Sequence, residues 1–226
     1  MTARKTPASG ARKRLLILDD HPMMREGLSQ LINHQADLAV CGEAGTGREA
    51  LELVAKLKPD LVLADISLPD TNGLDVLKSI HTMYPKVSVL VISMHDESMY
   101  AERVLRAGGR GYIMKQEGGR KILEAIQRVL SGQVYVSEKM SANILGALSG
   151  QAAEPKTPIA QLSDREFEVF QLMGQGKGTR AIATQLGLSV KTVETHRAAI
   201  KTKLKLETAT ELVHYAVRWV ETQRPN

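Results

Sequence analysis

The feature that most constrains the fold is an alternation, over the first 130 residues, of short apolar runs with longer segments of helical period. In the middle runs the apolar residues are consecutive rather than alternating with polar ones. This is typical of parallel strands that are covered by helices on both faces. Connections of this length form right-handed crossovers, so the sequence predicts an α/β fold with a doubly wound, five-stranded parallel sheet. The five predicted strands are residues 15–18, 38–41, 61–64, 87–92 and 111–114.

A second domain is expected, because 226 residues exceed a typical single domain. The α/β pattern closes with a helix predicted at 117–131, and a further helix is predicted at 137–148. Residues 150–158, "GQAAEPKTP", combine small residues and prolines without an apolar period, which is typical of a linker. The boundary between the domains is therefore predicted there.

The sequence after this linker is wholly helical in pattern. It begins with "LSDREFEV", in which Ser163 and Glu166 have the spacing of a capping box. The predicted helices are residues 163–174, 178–186, 189–204 and 207–221. The predicted organisation is a basic tail (1–12), an α/β domain (13–135), a linker with a short helix (136–158) and a small all-α domain of four helices (159–226).

Cysteine content and the N-terminal segment bear on the compartment. The single cysteine, Cys41, excludes an internal disulfide and is consistent with a reducing compartment. The first 14 residues are basic, but the apolar run that follows them is too short for a signal peptide or a membrane span. We expect a cytoplasmic protein without a membrane partner.

Polar side chains follow four of the five predicted strands. Asp19 and Asp20 follow the first strand, Asp65 the third, Ser93 the fourth and Lys115 the fifth. The carboxyl ends of parallel strands lie on one edge of the sheet, so the three carboxylates would meet if strands one and three are neighbours. Like charges in one pocket repel unless a cation compensates them, and hard carboxylate oxygens are suited to Mg²⁺. The sequence therefore predicts a magnesium site at this edge.

The same residues suggest phosphoryl chemistry. A carboxylate beside a bound metal, here Asp65, can attack phosphorus and form an acyl phosphate. Lys115 would neutralise the incoming charge, and the Ser93 hydroxyl would donate a hydrogen bond to a phosphate oxygen. Taken singly, each residue has an ordinary explanation, since an aspartate after a strand is more often a helix cap or a turn residue. Only their joint placement favours a functional site.

Four segments, in this order, resemble the receiver domain of bacterial two-component response regulators: "LDDHPMMREGL", "DLVLADISLPDTNGLDVL", "VLVISMHDE" and "AGGRGYIMKQE". The resemblance covers residues 13–135 and implies a flavodoxin-like fold. It also implies that Asp65 receives a phosphoryl group from a partner sensor histidine kinase.

The resemblance further assigns ligands and a switch. It implies that Mg²⁺ is held by Asp19, Asp20, Asp65 and the main-chain carbonyl of Ser67. It also implies a switch pair, Ser93 and Tyr112, in which the hydroxyl is drawn toward the phosphate and the ring turns inward behind it.

Near the C-terminus, "GQGKGTRAIATQLGLSVKTVETHRAAIKTKL" has Gly187 between two helical patterns and Ser189 as N-cap of the second, which is the pattern of a helix-turn-helix. The first half of a recognition helix faces the bases. Glu194 could accept a hydrogen bond from cytosine N4, and Ala198 could contact a thymine methyl. Helical hairpins with basic faces also occur in proteins that do not bind DNA. The predicted DNA-binding residues are Lys191, Thr192, Glu194, Thr195, Arg197, Ala198 and Lys201.

Residues 160–223 resemble the LuxR-type helix-turn-helix, from "LSDREFEVFQLM" to Leu204. A receiver domain followed by this domain is typical of the NarL/FixJ family of transcription regulators. The resemblance implies binding of double-stranded DNA.

The last predicted helix carries a seam of small apolar residues that is suited to close pairing across a homodimer, although packing within the domain would use part of the same face. Two-fold pairing predicts an inverted-repeat operator. The predicted dimerisation residues are Ala209, Leu212, Val213, Ala216 and Val217.

Two alternatives stay open at this point. The carboxylates could belong to a phosphatase of the haloacid-dehalogenase type, but those enzymes need a second catalytic aspartate two residues after the first, and here that position is Ser67. The receiver could instead be a phosphorylation-independent dimerisation module, which the complete set of site residues argues against. We expect a regulator that accepts a phosphoryl group and dimerises when phosphorylated, rather than an enzyme.

Overall fold

The computed structural model describes residues 11–148 and 158–222. Its contacts divide the chain into two compact units, with the division between Ser137 and Glu138. Residues 149–157, which include all but the last residue of the segment 150–158, and residues 1–10 of the predicted basic tail lie outside the described residues.

The first unit contains a parallel five-stranded sheet of order β2-β1-β3-β4-β5. Five helices alternate with these strands, which confirms the predicted α/β fold. The strand β1 pairs directly with β3, as the predicted carboxylate cluster requires. The strands are β1 (Lys13–Leu18), β2 (Leu38–Ala44), β3 (Leu61–Ala64), β4 (Ser88–Ser93) and β5 (Gly111–Met114). The helices are α1 (Pro22–Asn33), α2 (Gly47–Leu57), α3 (Gly73–Met83), α4 (Glu97–Arg106) and α5 (Gly119–Leu130).

The central strands are apolar on both faces because both faces are covered. All four residues 15–18 of β1 are fully buried, and so are the first three of β3. Residues of one face pack with α1 and α5 in a single core that includes Leu15, Ile32 and Ile126. The polar ends of these strands are thereby placed at the edge of a rigid core.

The loop from β3 to α3 is fixed by its own polar residues. Asp70 accepts hydrogen bonds from the backbone N–H groups of Gly47 (3.0 Å) and Arg48 (3.2 Å), and so caps α2 from outside that helix. Asn72 caps α3 by accepting from Leu74 N (2.7 Å). The turn-forming residues that follow Asp65 therefore anchor its loop to two helices.

The second unit begins with α6 (Glu138–Leu148), and after the undescribed segment a 3₁₀ turn (Pro158–Gln161) leads into four helices. This confirms the predicted all-α second domain. Its core holds the rings of Phe167, Phe170 and Trp219, with centroids 5.5 and 5.6 Å from that of Trp219. The four helices are α7 (Asp164–Gly174), α8 (Thr179–Leu186), α9 (Val190–Lys203) and α10 (Ala209–Thr222).

The helix α7 starts with the predicted capping box. The Glu166 carboxylate accepts from Ser163 N (2.7 Å), and Ser163 Oγ accepts from Glu166 N (3.4 Å). The same carboxylate also accepts from Lys203 Nζ (2.6 Å) at the end of α9. Burial raises the pKa of Glu166, but the hydrogen bonds from Lys203 and Ser163 outweigh burial, and its pKa is lowered overall.

We expect Glu166→Gln to lower the free energy of unfolding of the second unit by about 1–3 kcal/mol, because the amide keeps an acceptor for Ser163 N but loses the charged bond to Lys203. The pKa is lower in the folded chain, so the contribution of Glu166 is complete above its unfolded pKa and is lost as the pH falls through the folded pKa. Urea titrations followed by the fluorescence of Trp219, the single tryptophan, measure this. The difference in free energy of unfolding between Glu166→Gln and the parent should become smaller toward low pH. The control Glu221→Gln, at an exposed glutamate, should unfold with the same free energy as the parent. Equal urea midpoints for Glu166→Gln and the parent at neutral pH would contradict the prediction.

Candidate functional site

The ends of β1, β3 and β5 bring two carboxylates and an amine into contact. Asp19 and Asp65 are buried, with 0% and 2% of their surface exposed. Lys115 Nζ lies 2.6 Å from Asp19 Oδ2 and 2.7 Å from Asp65 Oδ2. Asp65 N also donates to Leu18 O (2.7 Å), so the pairing of β1 with β3 continues into the site. The structure thus places Asp65 facing Asp19 and Lys115, as the sequence predicts.

A third carboxylate and a histidine complete the cluster. Asp19, Asp20, His21 and Asp65 each offer a ligand atom, and the four atoms lie within 4.8 Å of one another. Asp19 Oδ2 and Asp20 Oδ1 are buried and accept no well-aligned hydrogen bond from any residue that the structure describes. Their close contacts are with nitrogens that carry or can carry a positive charge, Lys115 Nζ for the first and His21 Nδ1 at 2.7 Å for the second. Buried oxygens with free lone pairs fit a hard divalent cation.

The charges of the site do not balance. Burial raises the pKa of Asp65, although Lys115 opposes the rise. Burial lowers the pKa of Lys115, but Asp65 and Asp19 outweigh burial and raise it overall, so the amine is held protonated. The site therefore holds three carboxylates and the amine of Lys115, while the nearby Arg25 contacts only the main-chain carbonyl of Asp19 and lies 3.8 Å from the carboxylate of Glu43. A divalent cation would compensate the excess negative charge.

Backbone contacts orient the acidic loops. Arg25 Nη1 donates to Asp19 O (2.7 Å), and His21 N donates to Asp19 Oδ1 (2.9 Å). Ser67 N donates to Asp65 Oδ1 (3.1 Å). The residue whose carbonyl is a predicted metal ligand, Ser67, is therefore adjacent to the central acid.

The predicted switch pair lies behind this cluster. Ser93 and Tyr112 are both fully buried, and the Tyr112 hydroxyl donates to His95 O (2.8 Å). Burial raises the pKa of Tyr112 well above its usual range, so the phenol stays protonated. His95 N donates to Ser93 Oγ (3.3 Å), and the His95 ring stacks on Tyr100 at 5.0 Å. In this structure the tyrosine ring is turned inward.

Sequence reasoning missed two histidines at this site. His21 follows the two acids that come after β1, and His95 Nε2 lies 3.0 Å from Ser67 Oγ, linking the loops after β3 and β4. The available signal was position, because each is within two residues of a predicted site residue at the same edge of the sheet.

The helix α9 presents part of the predicted DNA-binding set to solvent. Ser189 caps the helix by accepting from Thr192 N (3.0 Å), and Val193 and Ile200 are buried in the core. Lys191, Glu194, Thr195 and Ala198 are exposed.

Three other predicted contacts are partly buried and have partners within the chain. Arg197 Nη1 donates to Thr179 Oγ1 (2.6 Å) at the start of α8. Lys201 Nζ donates to Glu207 O (3.1 Å), and the Thr192 hydroxyl lies 2.8 Å from Ser189 Oγ. These side chains would have to exchange a partner in order to bind phosphate.

The predicted dimer seam on α10 needs correction. Leu212 and Ala216 are 1% and 0% exposed. A Cβ added at Gly174 of α7 would collide with Ala216 O, so α10 packs here against α7 within one chain. These two residues are therefore unavailable for pairing between chains. Val213 and Val217 are partly exposed and Ala209 is exposed.

In the described part of the chain, no helix is both long enough and apolar enough to cross a membrane.

Comparisons with known proteins agree with the fold of both units. Residues 15–127 match the response regulator receiver domain family, and residues 160–216 match the family of bacterial regulatory proteins of the luxR type. The chain belongs to the response regulators of two-component systems, in the group that joins a receiver to a LuxR-type helix-turn-helix domain. Proteins of this class regulate transcription by binding DNA.

Its relatives include the oxygen regulatory protein NreC of Staphylococcus aureus, which is 37% identical over 210 residues, covering 91% of this chain and 97% of NreC. Among solved structures, RcsB of Salmonella enterica serovar Typhimurium, bound to promoter rprA in the presence of the phosphomimetic BeF3⁻, has a TM-score of 0.69 at 23% identity, with 91% and 98% of the two chains covered. The receiver domain of NarL from Mycobacterium tuberculosis has a TM-score of 0.53 at 31% identity and covers 55% of this chain and 100% of its own.

Proposed function

We propose that Asp65 accepts a phosphoryl group from a sensor histidine kinase, and that the phosphorylated chain binds an inverted-repeat operator as a homodimer. The observation that carries the proposal is the buried contact of Asp65 with Lys115, next to Asp19. An aspartate that only capped a helix would not need a buried lysine and two further carboxylates around it.

In the proposed transfer, an Asp65 carboxylate oxygen attacks phosphorus while the bond between phosphorus and the kinase histidine nitrogen breaks. The oxygens of Asp19, Asp20 and Asp65 and the carbonyl of Ser67 would hold Mg²⁺. When bound, the cation neutralises charge on the phosphoryl oxygens. Lys115 already donates to Asp65 Oδ2 (2.7 Å), so its amine is placed to donate a hydrogen bond to an oxygen of the phosphoryl group on Asp65.

The proposed switch uses the buried residues behind the site. The Ser93 hydroxyl would move toward the phosphoryl oxygens, and Tyr112 would keep the inward position that its bond to His95 O supports. A change from about 1% to 99% active requires roughly 5.5 kcal/mol of differential stabilisation, so contacts across residues 94–120 would have to share it. The phosphorylated state would favour dimers or free the DNA-binding helix from the receiver.

The proposed DNA contacts divide by exposure. Glu194, Thr195 and Ala198 would read bases, and the exposed Lys191 would bind phosphate. Arg197, Lys201 and Thr192 would contribute after giving up their present partners. The dimer surface is proposed on the exposed side of α10, at Ala209, Val213 and Val217. RcsB, which shares this fold, has been solved bound to a promoter, and this supports DNA binding as the task of the second unit.

The decisive experiment is incubation of the full chain with acetyl phosphate and Mg²⁺, followed by intact mass and peptide mapping. One phosphoryl group on Asp65, together with tighter operator binding, supports the proposal. Absence of the modification would favour a receiver that acts only as a dimerisation module. Modification without any change in operator affinity would contradict gating.

Replacing two exposed residues of α9 should have two different effects on DNA binding. We expect Lys191→Ala to weaken binding of all DNA sequences about equally and to reduce the salt dependence of binding by about one phosphate contact. Glu194→Ala should instead relax the preference at one base pair, by about 1–3 kcal/mol of discrimination. Operator sequences selected from a random library, with binding measured at several salt concentrations, test both. A Lys191→Ala variant with an unchanged salt slope would contradict the assigned phosphate contact.

A further inference from the structure

We propose that His21 makes the acidic pocket a binding site for borderline transition-metal ions such as Ni²⁺ and Zn²⁺, which it binds through Nδ1 together with the carboxylates of Asp19 and Asp20. The inference builds on the proposed function only in using the same carboxylates. It adds a nitrogen ligand that Mg²⁺ does not require.

The geometry around His21 Nδ1 is suited to shared coordination. This nitrogen lies 2.7 Å from Asp20 Oδ1 and 3.3 Å from Asp19 Oδ1. Two ligand atoms that are each about 2.1 Å from one ion, at right angles, are separated by about 3.0 Å. The two measured separations lie on either side of that value.

The backbone explains why the ring faces the acids. His21 occupies the N-cap position of α1, where a side chain commonly bonds to the first helical amides, yet its side chain makes no such bond. Pro22 at the first helical position supplies no N–H group to be capped. The His21 backbone N–H instead donates to Asp19 Oδ1 (2.9 Å), which fixes the loop with the ring beside the carboxylates.

The pocket supplies both accessibility and unsatisfied ligands. The His21 side chain is 69% exposed, so an ion can reach Nδ1 without a rearrangement of the core. Asp19 Oδ2 is fully buried and accepts no well-aligned hydrogen bond from the described residues, and its close contact is Lys115 Nζ at 2.6 Å. An exposed nitrogen above buried oxygens forms a mixed set of donors in one place.

Mixed donors change which metals bind. Imidazole nitrogen is a good ligand for Ni²⁺, Cu²⁺ and Zn²⁺, whereas Mg²⁺ prefers oxygen and retains waters. Replacing His21 should therefore weaken binding of transition metals and leave binding of Mg²⁺ unchanged. The two kinds of ion would compete, because both use Asp19 and Asp20.

The test is isothermal titration calorimetry of the full chain with Ni²⁺ and, separately, with Mg²⁺. We expect His21→Gln to weaken Ni²⁺ binding at this site by about tenfold or more while Mg²⁺ affinity stays within about twofold. The matched control is His34→Gln, which removes an exposed histidine at the other end of α1. It should change neither the Ni²⁺ affinity nor the Mg²⁺ affinity. Saturating Mg²⁺ should reduce the apparent Ni²⁺ affinity of the parent.

Three outcomes would overturn the inference: equal Ni²⁺ affinity in parent and His21→Gln, an equal loss in His34→Gln, or a parallel loss of Mg²⁺ affinity. The last would show that His21 only positions the carboxylates. Labelling of the parent by acetyl phosphate with Mg²⁺ tests the proposed function separately, because that reaction is measured without Ni²⁺. A parent that binds Ni²⁺ through His21 but is never phosphorylated would contradict the proposed function alone.

Discussion

Asp65→Asn is expected to abolish labelling by acetyl phosphate completely and, with it, any increase in operator affinity. The amide oxygen of asparagine is a far weaker nucleophile than a carboxylate, and the substitution removes the atom to which phosphorus would be attached. Lys115 Nζ would keep its contact with Asp19 Oδ2, so the pocket should stay formed. The variant is therefore expected to fold and to bind DNA only at the level of the unphosphorylated parent.

The measurement is intact mass after incubation with acetyl phosphate and Mg²⁺, with operator binding measured on the same samples. Asp75→Asn is the matched control, because it makes the same chemical change at an exposed aspartate in the first turn of α3. That variant should be labelled as the parent is. Full labelling of Asp65→Asn would place the phosphoryl group on another residue and end the assignment of Asp65.

The stability of Asp65→Asn shows whether a loss of labelling reflects the missing carboxylate or an unfolded receiver. Asparagine has nearly the shape of aspartate and removes one of three like charges from a buried pocket. Without Mg²⁺, Asp65→Asn should therefore be at least as stable to urea as the parent. A variant that is both unlabelled and strongly destabilised would contradict this account of the pocket's charge.

The position of the acidic site follows from the sequence because it depends only on topology. Consecutive apolar residues such as those of β1 and β3 require a covered parallel sheet, and parallel strands place all their carboxyl ends at one edge. A charged residue directly after such a run, such as Asp65, therefore has a predictable location. No knowledge of side-chain conformation is needed.

The parts that sequence reasoning missed depend on side-chain direction and on contacts between distant segments. His21 would ordinarily be assigned as a helix-capping residue, and only the coordinates place its ring against the acids. Arg197 looks free on a helical projection, but its partner Thr179 lies 18 residues earlier in the chain. Leu212 and Ala216 have the spacing of a dimer seam, yet the same spacing also describes packing on α7. Periodicity identifies an apolar face but not its partner.

The largest loss of stability is expected from Gly73→Ala at the start of α3. A Cβ at this position would collide with the backbone of Ile66 and lie 2.8 Å from Asp65 O. Backbone atoms cannot rotate away as a side chain can, so either α3 or the segment carrying Asp65 must shift. Overpacking of this kind typically costs about 1–3 kcal/mol, and contact with main-chain atoms places this site at about 3 kcal/mol.

The shift should also impair chemistry, because the loop that moves carries Asp65 and Ser67. We expect Gly73→Ala to be labelled more slowly by acetyl phosphate even at temperatures where it is fully folded. Scanning calorimetry of the full chain, with labelling rates measured well below the first transition, tests both effects.

The control is Gly27→Ala in α1, where an added Cβ has no atom within 4 Å. A helical glycine in open space should gain about 0.5–1 kcal/mol on replacement by alanine, so the same substitution is expected to have opposite signs at the two positions. A Gly73→Ala variant as stable and as readily labelled as the parent would show that the loop after β3 is not held by close packing against α3.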